Sequence, residues 1–346
     1  MGLIIVAGGQ YGSEGKGKVA SYMTNKFDAE AVVRIGGPNS GHTVVVDGEE
    51  YKLRMLPTAA ITTSCQIIFP AGSYIDLDIL QKEIDENNID KSRVHIDTNA
   101  VIMLNEDSYQ ERAAKLNESI SSTCSGTGAA VKRRIERTNA YVIAKYQGLV
   151  KDYLCDTKEK IASMCDTDKC VIVEGTQGYM LSLLHTPYYP YCTSRDTSAA
   201  GILSEVGGSI RNVDKVVDVF RAYPIRVAGS SGPLPYECTW ADVTVEAKYP
   251  RHIKEYTTVT NRVRRVAKFD FEAAAMVVHN EKPDIIVMNH LDYIDGVGQN
   301  GSLITGTQMD FISMVEKYMD RNIDLLGMNP TDLYEKEAVY TEALNF

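Results

Sequence analysis

The sequence predicts an α/β fold with a large, mostly parallel sheet, flanking helices and a P-loop-like, glycine-rich nucleotide loop. Three observations lead to this prediction. Apolar runs typical of buried strands recur along the 346 residues, each ends in a polar or glycine-bearing loop, and helix-like stretches separate them. Buried parallel strands that carry ligand-binding loops at their carboxyl ends have this pattern.

The first strand is predicted at the apolar residues 3–7 and the first helix at the periodic residues 16–23. Between them, residues 8–18 hold five glycines interleaved with Lys16 and Lys18. Glycine removes the Cβ that would keep the backbone away from an anion, and the N–H groups of a helix N-terminus point at it. We therefore expect a phosphate-binding loop, although Gln10 and Gly17 depart from the Walker A pattern.

The later elements alternate in the same way. In chain order they are a strand at 31–35, a hairpin in which 44–46 and 51–53 flank Asp47-Gly48, a strand at 67–69, a helix at 77–86, a strand at 101–103, a helix at 106–117, and strands at 170–173, 216–220 and 285–288. Neither a repeat nor a linker interrupts this order. We expect a single α/β domain with insertions over residues 1–346.

Composition narrows the class of protein. Acidic residues outnumber basic ones by 46 to 36, which argues against a surface that coats nucleic acid. Seven cysteines without a C-x-x-C pair predict reduced thiols and neither a disulfide nor a metal framework. The sequence has no long apolar stretch, and its start leads directly into a strand, so we expect a cytoplasmic protein with no membrane or nucleic-acid partner.

Several later stretches carry residues suited to phosphates and carboxylates. His42 follows the second strand, from which it could reach a phosphate held by the first loop, although a histidine beside small residues is more often structural. Residues 121–128 are small and hydroxyl-rich, which suits a phosphate-binding loop as well as a surface loop. Arg262 and Arg264 are spaced to grip paired carboxylates, because each guanidinium can donate two parallel hydrogen bonds.

Residues 8–18 resemble the N-terminal signature of adenylosuccinate synthetases, G-x-Q-W-G-D-E-G-K-G-K. Further motifs of that family are similar to stretches that follow in the same order, at residues 174–178 (E-G-x-Q-G), 189–194 (Y-P-Y-x-T-S), 223–227 (A-Y-x-x-R-V), 256–265 (the aspartate loop) and 289–292 (T-K-L-D). The resemblance extends from residue 3 to about residue 330 and implies a fold of the adenylosuccinate-synthetase type. Ser13 replaces the family's catalytic aspartate, as in phage relatives that aminate dGMP.

The resemblance also implies roles for individual residues. Those implied in catalysis are Ser13, Lys16 and His42. Those implied in triphosphate binding are Gly12, Ser13, Glu14, Gly15, Lys16, Gly17, Gly41, His42, Thr43, Asn289 and Asp292. Those implied in binding the purine monophosphate are Ser13, Asn39, Ser122, Thr123, Arg133, Gln177, Thr193 and Val227, with Arg134 as the alternative to Arg133 for an arginine that crosses a dimer interface. Those implied in aspartate binding are Thr258, Val259, Thr260, Arg262 and Arg264, and Mg²⁺ is expected at Ser13 and Gly41.

The implied reaction joins L-aspartate to C6 of dGMP through a 6-phosphoryl intermediate, giving 2-amino-2'-deoxy-N6-succinyl-adenylate, ADP and phosphate. The implied donor is ATP, with dATP or GTP as alternatives, and a homodimer is expected. Serine is smaller than aspartate and uncharged, which leaves room for a purine 2-amino group, and His290 replaces the lysine that reads the guanine of GTP. An ordinary GTP-dependent synthetase acting on IMP and a non-catalytic nucleotide sensor are the alternatives.

Overall fold

The computed structural model describes residues 1–46, 48–138, 140, 143–257, 261–296 and 304–344. Its strands are β1 (Leu3–Gly8), β2 (Ala31–Arg34), β3 (His42–Val46), β4 (Glu49–Leu53), β5 (Gln66–Phe69), β6 (Tyr74–Ile75), β7 (Val94–Asp97), β8 (Val101–Ile102), β9 (Leu154–Cys155), β10 (Val171–Glu174), β11 (Val213–Arg221), β12 (Ile225–Arg226), β13 (Glu237–Cys238), β14 (Arg265–Ala267), β15 (Ile285–Asn289), β16 (Leu325–Leu326) and β17 (Tyr334–Glu335).

The helices cover the faces of the sheet and fill the connections between strands. They are α1 (Lys16–Lys26), α2 (Ala59–Thr62), α3 (Leu77–Glu86), α4 (Asn105–Ala113), α5 (Leu116–Ile120), α6 (Thr127–Glu136), α7 (Thr157–Asp166), α8 (Ala199–Val206), α9 (Trp240–Glu246), α10 (Phe271–Glu281), α11 (Gly306–Met319) and α12 (Lys336–Leu344). Within the described ranges, none is long and apolar enough to cross a membrane.

A ten-stranded sheet organises the molecule, in the order β17-β16-β15-β11-β1-β10-β2-β5-β7-β9. All of its pairings are parallel except that between β16 and β17. This confirms the predicted large, mostly parallel sheet with flanking helices. Strand β1 lies near the centre, between β10 and β11, so the glycine-rich loop that follows it leaves the middle of the sheet.

Both faces of the central strand are buried, which explains its uninterrupted apolar sequence. Ile4 and Val6 pack on one face against Val19 and Met23 of α1. Leu3 and Ile5 pack on the other face in a cluster that includes Ile161 of α7 and Ile202 of α8. Helices on both faces therefore hold β1, and with it the start of the glycine-rich loop, in one place.

Most predicted elements are present, with three differences. The predicted helix at 106–117 is two helices, because Lys115 adopts a left-handed conformation (φ 54°) that ends α4 and starts α5. The strand at 101–103 is reduced to β8, which pairs with β6 outside the main sheet. His42 is the first residue of β3 and not part of a loop, since it pairs with Leu53 in the predicted hairpin.

Candidate functional site

A cavity of about 900 Å³ lies at the loops that follow the strands of the main sheet. Residues from distant parts of the chain meet there, which is what a parallel sheet produces at its carboxyl ends. The predicted site residues that line it are Ser13, Gly15, Lys16, Gly17, Asn39, Gly41, His42, Thr43, Ser122, Thr123, Gln177, Thr193, Val227, Arg264 and Asn289. The sequence-based site is therefore brought together in space to a large extent.

The glycine-rich loop is braced from within by Glu14. Its fully buried carboxylate accepts hydrogen bonds from the backbone N–H of Gln10 at 3.1 Å and of Gly12 at 2.7 Å, and it pairs with Lys16 at 2.7 Å. Lys16 also donates to the carbonyl of Gln177. Neither Gly12 nor Glu14 lines the cavity, although both were predicted to bind the triphosphate. The Glu14 side chain instead holds the loop in its conformation.

Ser13 occupies a turn that other parts of the chain hold in place. Its backbone is left-handed (φ 59°), an uncommon conformation for a residue with a side chain. Its carbonyl accepts from Arg221 at 2.9 Å, and its exposed hydroxyl group accepts from Arg264. Contacts from outside the loop thus fix the position of this hydroxyl group at the cavity.

Arg221 lines the cavity although the sequence motifs did not predict it. It ends β11, is 1% exposed, and pairs with the Glu255 carboxylate behind Ser13. Its backbone N–H and carbonyl both bond the side-chain amide of Gln10. Burial alone would raise the pKa of Glu255, but Arg221, together with His290 and Arg264, outweighs burial and lowers that pKa to about 2. A charged residue directly after the predicted strand 216–220 was the available signal.

His42 lies in a buried polar cluster next to the first loop. Its Nδ1 is 2.6 Å from a carboxylate oxygen of Glu174, and its Nε2 contacts the guanidinium group of Arg34. Burial, assisted by the positive charge of Arg34, lowers the pKa of His42. Because Arg34 can only donate, the ring is neutral here, with its proton assigned to Nδ1 facing Glu174.

Gln177 approaches the glycine-rich loop from the end of β10. It has a left-handed backbone (φ 60°), and it lines the cavity close to Gly12. The next residue must be glycine, because a Cβ at Gly178 would lie 2.4 Å from the carbonyl oxygen of Gln10. The last glycine of the E-G-x-Q-G pattern therefore has a steric origin in the close packing of two loops.

The predicted arginines divide between cavity and surface. Arg264 lines the cavity, whereas Arg262 is exposed and does not. Arg133 pairs with Asp107 at 2.6 Å, and Arg134 donates to the carbonyl of Ala71; neither lines the cavity of its own chain. Thr258, Val259 and Thr260, predicted to bind aspartate, lie outside the described residues.

The end of the cavity next to β15 also differs from expectation. Asn289 donates to the backbone carbonyl of Glu14 at 2.8 Å, and His290 lines the cavity. Asp292 does not line it: this carboxyl group is buried and accepts from the Tyr249 hydroxyl group at 3.1 Å. Burial raises the pKa of Asp292 to about 6. Tyr249 was not predicted, and its partner lies 43 residues away.

The site fits a magnesium ion that arrives with a nucleotide. In the part of the chain that the structure describes, no group of three or more His, Cys, Asp or Glu residues could hold a metal by itself. Mg²⁺ commonly keeps several waters and binds substrate phosphates with only one or two protein oxygens. The Ser13 hydroxyl group and the Gly41 carbonyl, both at the cavity, could supply such oxygens.

Comparisons with known proteins relate most of this chain to one family. The family model for adenylosuccinate synthetase matches residues 5–144 and 138–301. The synthetase of Methanococcus aeolicus is 36% identical over 334 residues, covering 94% of this chain and 96% of that protein, and the synthetase of Thermococcus onnurineus is 36% identical over 84% of each.

Two solved structures are similar over nearly the whole chain. The cyanophage S-2L succinoaminodeoxyadenylate synthetase, bound to dGMP and dATP as an energy donor, is 28% identical with a TM-score of 0.79 and covers 99% of both chains. The fully ligated adenylosuccinate synthetase of Plasmodium falciparum, 20% identical with a TM-score of 0.83 over 97% of this chain and 100% of that one, shares the fold. This chain belongs to the adenylosuccinate synthetase family of carbon–nitrogen ligases, which join aspartate to a purine nucleotide.

Proposed function

We propose that this enzyme joins L-aspartate to C6 of dGMP, with ATP or dATP as the phosphoryl donor. The observation that carries the proposal is Ser13, a small uncharged side chain at the cavity where the family signature has an aspartate. Guanine differs from hypoxanthine by a 2-amino group beside N1. Serine leaves space for that group next to the site of proton removal, and the ligands of the cyanophage relative support the same substrate.

The Tyr249–Asp292 hydrogen bond supports an adenine nucleotide as donor. Guanine presents its N1–H and 2-amino donors side by side, an arrangement that matches the two oxygens of a free carboxylate. One oxygen of Asp292 already accepts from Tyr249, and burial raises the pKa of this carboxyl group. Adenine carries neither of those donors, so it does not need a free carboxylate here.

The oxygen on C6 of the purine is a poor leaving group and must be activated before an amine can displace it. Transfer of the γ-phosphoryl group to O6 of the purine turns that oxygen into phosphate, which the amine of aspartate then displaces at C6. Lys16 and the loop amides would stabilise charge on the transferred group. A magnesium ion held at Ser13 and Gly41 would neutralise phosphate charge.

Ser13 would act as a hydrogen-bond donor and not as a base. Its oxygen accepts from Arg264, which leaves the hydroxyl hydrogen free to point at the purine. The N1 proton would then leave through water or a substrate oxygen. His42 would contact the phosphoryl group after releasing Arg34, because its Nε2 now faces that guanidinium group.

The proposal also includes the domain organisation and the oligomeric state of the chain. The chain would act as a single α/β domain in a cytoplasmic homodimer, in which Arg133 or Arg134 reaches the partner's purine nucleotide.

GTP-dependent ligation of aspartate to IMP is the second candidate function, because archaeal relatives about a third identical to this chain are named adenylosuccinate synthetases.

Phosphate release tests the proposal directly. With aspartate and Mg²⁺ present, dGMP, GMP and IMP are compared as acceptors, each with ATP, dATP and GTP. We expect turnover with dGMP and an adenine nucleotide well above every IMP reaction. Turnover confined to IMP and GTP would establish the second candidate, and no aspartate-dependent release with any pair would indicate a nucleotide sensor.

A further inference from the structure

One wall of the cavity is formed by β12 and the segment that follows it. Ile225, Val227 and Ser231 all line the cavity, although Ser231 is only 4% exposed. The hydroxyl group of Ser231 donates at 2.5 Å to the backbone carbonyl of Val227, four positions earlier in the chain. The backbone carbonyl of a cavity-lining residue is therefore already bonded inside the protein.

The same hydroxyl group is also engaged as an acceptor. A guanidinium nitrogen of Arg265 donates to the Ser231 oxygen at 3.1 Å and to the Gly232 carbonyl at 2.6 Å. Arg265 is fixed in turn by its ion pair with Glu237. Ser231 therefore cannot easily turn away from Val227. This wall presents the apolar Val227 side chain, and both the Val227 carbonyl and the Ser231 hydroxyl group are already engaged in hydrogen bonds within the protein.

The wall lies where the sugar of a purine monophosphate must pass. On one side, the turn at Gly229 abuts the hydroxyl-rich loop, since a Cβ there would lie 2.7 Å from the Ser121 hydroxyl oxygen. On another side, the Arg226 guanidinium group stacks over the Tyr11 ring at 4.9 Å, beside Ser13. A nucleotide with its phosphate at the hydroxyl-rich loop and its base at Ser13 and Gln177 spans this wall with its sugar.

We propose that Ser231 is a specificity-determining residue that favours deoxyribose over ribose in the acceptor nucleotide. A ribose 2'-hydroxyl group loses its hydrogen bonds to water on entering the cavity. The free energy of that loss is recovered only if the hydroxyl group forms a hydrogen bond with the protein. On this wall the Val227 carbonyl is bonded to Ser231, so the hydroxyl group of GMP gains little there. A deoxyribose has no such group to desolvate. This inference rests on the proposed function.

The test compares Ser231→Ala with Ser230→Ala. The first substitution frees the Val227 carbonyl, while Arg265 keeps its bonds to Gly232 and Glu237. The second makes the same change at an exposed neighbour that does not line the cavity. The kcat/KM values for dGMP and GMP are measured for each enzyme, and melting temperatures verify folding.

We expect Ser231→Ala to raise the GMP-to-dGMP ratio of kcat/KM by about three- to tenfold, the range that one neutral hydrogen bond supplies. Ser230→Ala should keep the wild-type ratio. If Ser231→Ala leaves the ratio unchanged while dGMP is still a substrate, Ser231 does not select the sugar and the proposed ligase activity stands. If the wild-type enzyme does not use dGMP, the proposed function itself fails. Calorimetric affinities for dGMP and GMP give the same ratio in a variant that binds without turnover.

Discussion

Ser13 is positioned by two arginines outside its own loop, and in the proposed reaction its fixed hydroxyl group would contact the purine. Arg264 bonds its hydroxyl group and Arg221 bonds its carbonyl. A carboxylate at this position would pair strongly with Arg264 and extend farther toward the purine. The identity of residue 13 should therefore control which purine fits.

Ser13→Asp should shift the acceptor preference from dGMP toward IMP. The longer, charged side chain would occupy the space proposed for the 2-amino group and could accept the N1 proton of IMP. We expect the IMP-to-dGMP ratio of kcat/KM to rise about tenfold or more. Ser13→Ala is the control, because it removes the hydroxyl group without adding charge. Unaltered selectivity in Ser13→Asp would contradict this account.

Asp218 is a buried carboxyl group outside the cavity, and we expect it to lower the free energy of unfolding. It is 1% exposed in β11, and within the described residues neither of its oxygens has a hydrogen-bond partner. Burial, with repulsion from Glu281 and Glu14, raises its pKa well above the ordinary value. The folded chain thus favours the protonated form, and folding becomes less favourable as the pH rises above the unfolded pKa.

Asp218→Asn should stabilise the protein increasingly as the pH rises from about 4 toward the raised pKa of Asp218. The amide cannot ionise, so the variant avoids a cost of about 1.4 kcal/mol for each unit of the pKa shift. Urea unfolding at pH 5 and pH 8 measures the effect. Asp214→Asn, on the exposed part of the same strand, should show no comparable gain. Equal stability of wild type and Asp218→Asn at both pH values would show that Asp218 is not destabilising.

Helix α11 holds the segment that carries His290 and Asp292. Thr305 and Gln308 form a capping box at its start, with bonds of 3.3 and 3.0 Å. The fully buried Gln308 side chain also donates to the carbonyls of Leu291 at 2.9 Å and Asp295 at 3.2 Å. One residue thereby joins a helix start to the turn after β15.

Gln308→Ala should weaken triphosphate binding without affecting the acceptor. It removes the acceptor of the Thr305 backbone N–H, which is the Gln308 half of the capping box, and leaves two buried carbonyls without this donor, so we expect a loss of about 2–4 kcal/mol in stability. The KM for ATP should rise while the KM for dGMP stays near the wild-type value. Thr305→Ala removes only the cap, and its loss should be about 1 kcal/mol with an unchanged KM for ATP. Equal changes in both KM values would argue against a local effect.

Local patterns predicted the elements better than they predicted the contacts between them. The buried strands and the glycine-rich loop were predictable because apolar runs and glycines act within a few residues. The break at Lys115 was not predictable, because a lysine gives no signal for a left-handed conformation. The Arg221–Glu255 pair and the Tyr249–Asp292 bond join segments 34 and 43 residues apart, and only the fold brings them together.

The cavity connects the glycine-rich loop near the start of the chain with the segments that follow its last strands. Ser13 and Arg264 are 251 residues apart, Gln10 and Arg221 are 211 apart, and the cavity lining extends from Tyr11 to Pro330. A ligand at this site bonds segments from most of the chain at once. Binding should therefore stabilise the complete fold and not a part of it.

ATP with Mg²⁺ should raise the melting temperature of the wild-type enzyme in a single transition. At a ligand concentration about 100 times Kd, the gain is about 2.7 kcal/mol. Lys16→Ala should abolish this gain because Lys16 is expected to hold the phosphates. Lys26→Ala, which changes an exposed lysine of the same helix, should retain it. A full ATP-dependent rise in Lys16→Ala would remove Lys16 from the triphosphate site.

The ten-stranded sheet also has a consequence for solubility. Its two outermost strands, β9 and β17, contain only two residues each. Unpaired backbone groups on a long outer strand can template the addition of another chain and so begin aggregation. Here the strands become shorter toward both edges of the sheet, so the long central strands are paired on both sides. Each edge strand has too few unpaired backbone groups to bind a strand of a neighbouring molecule.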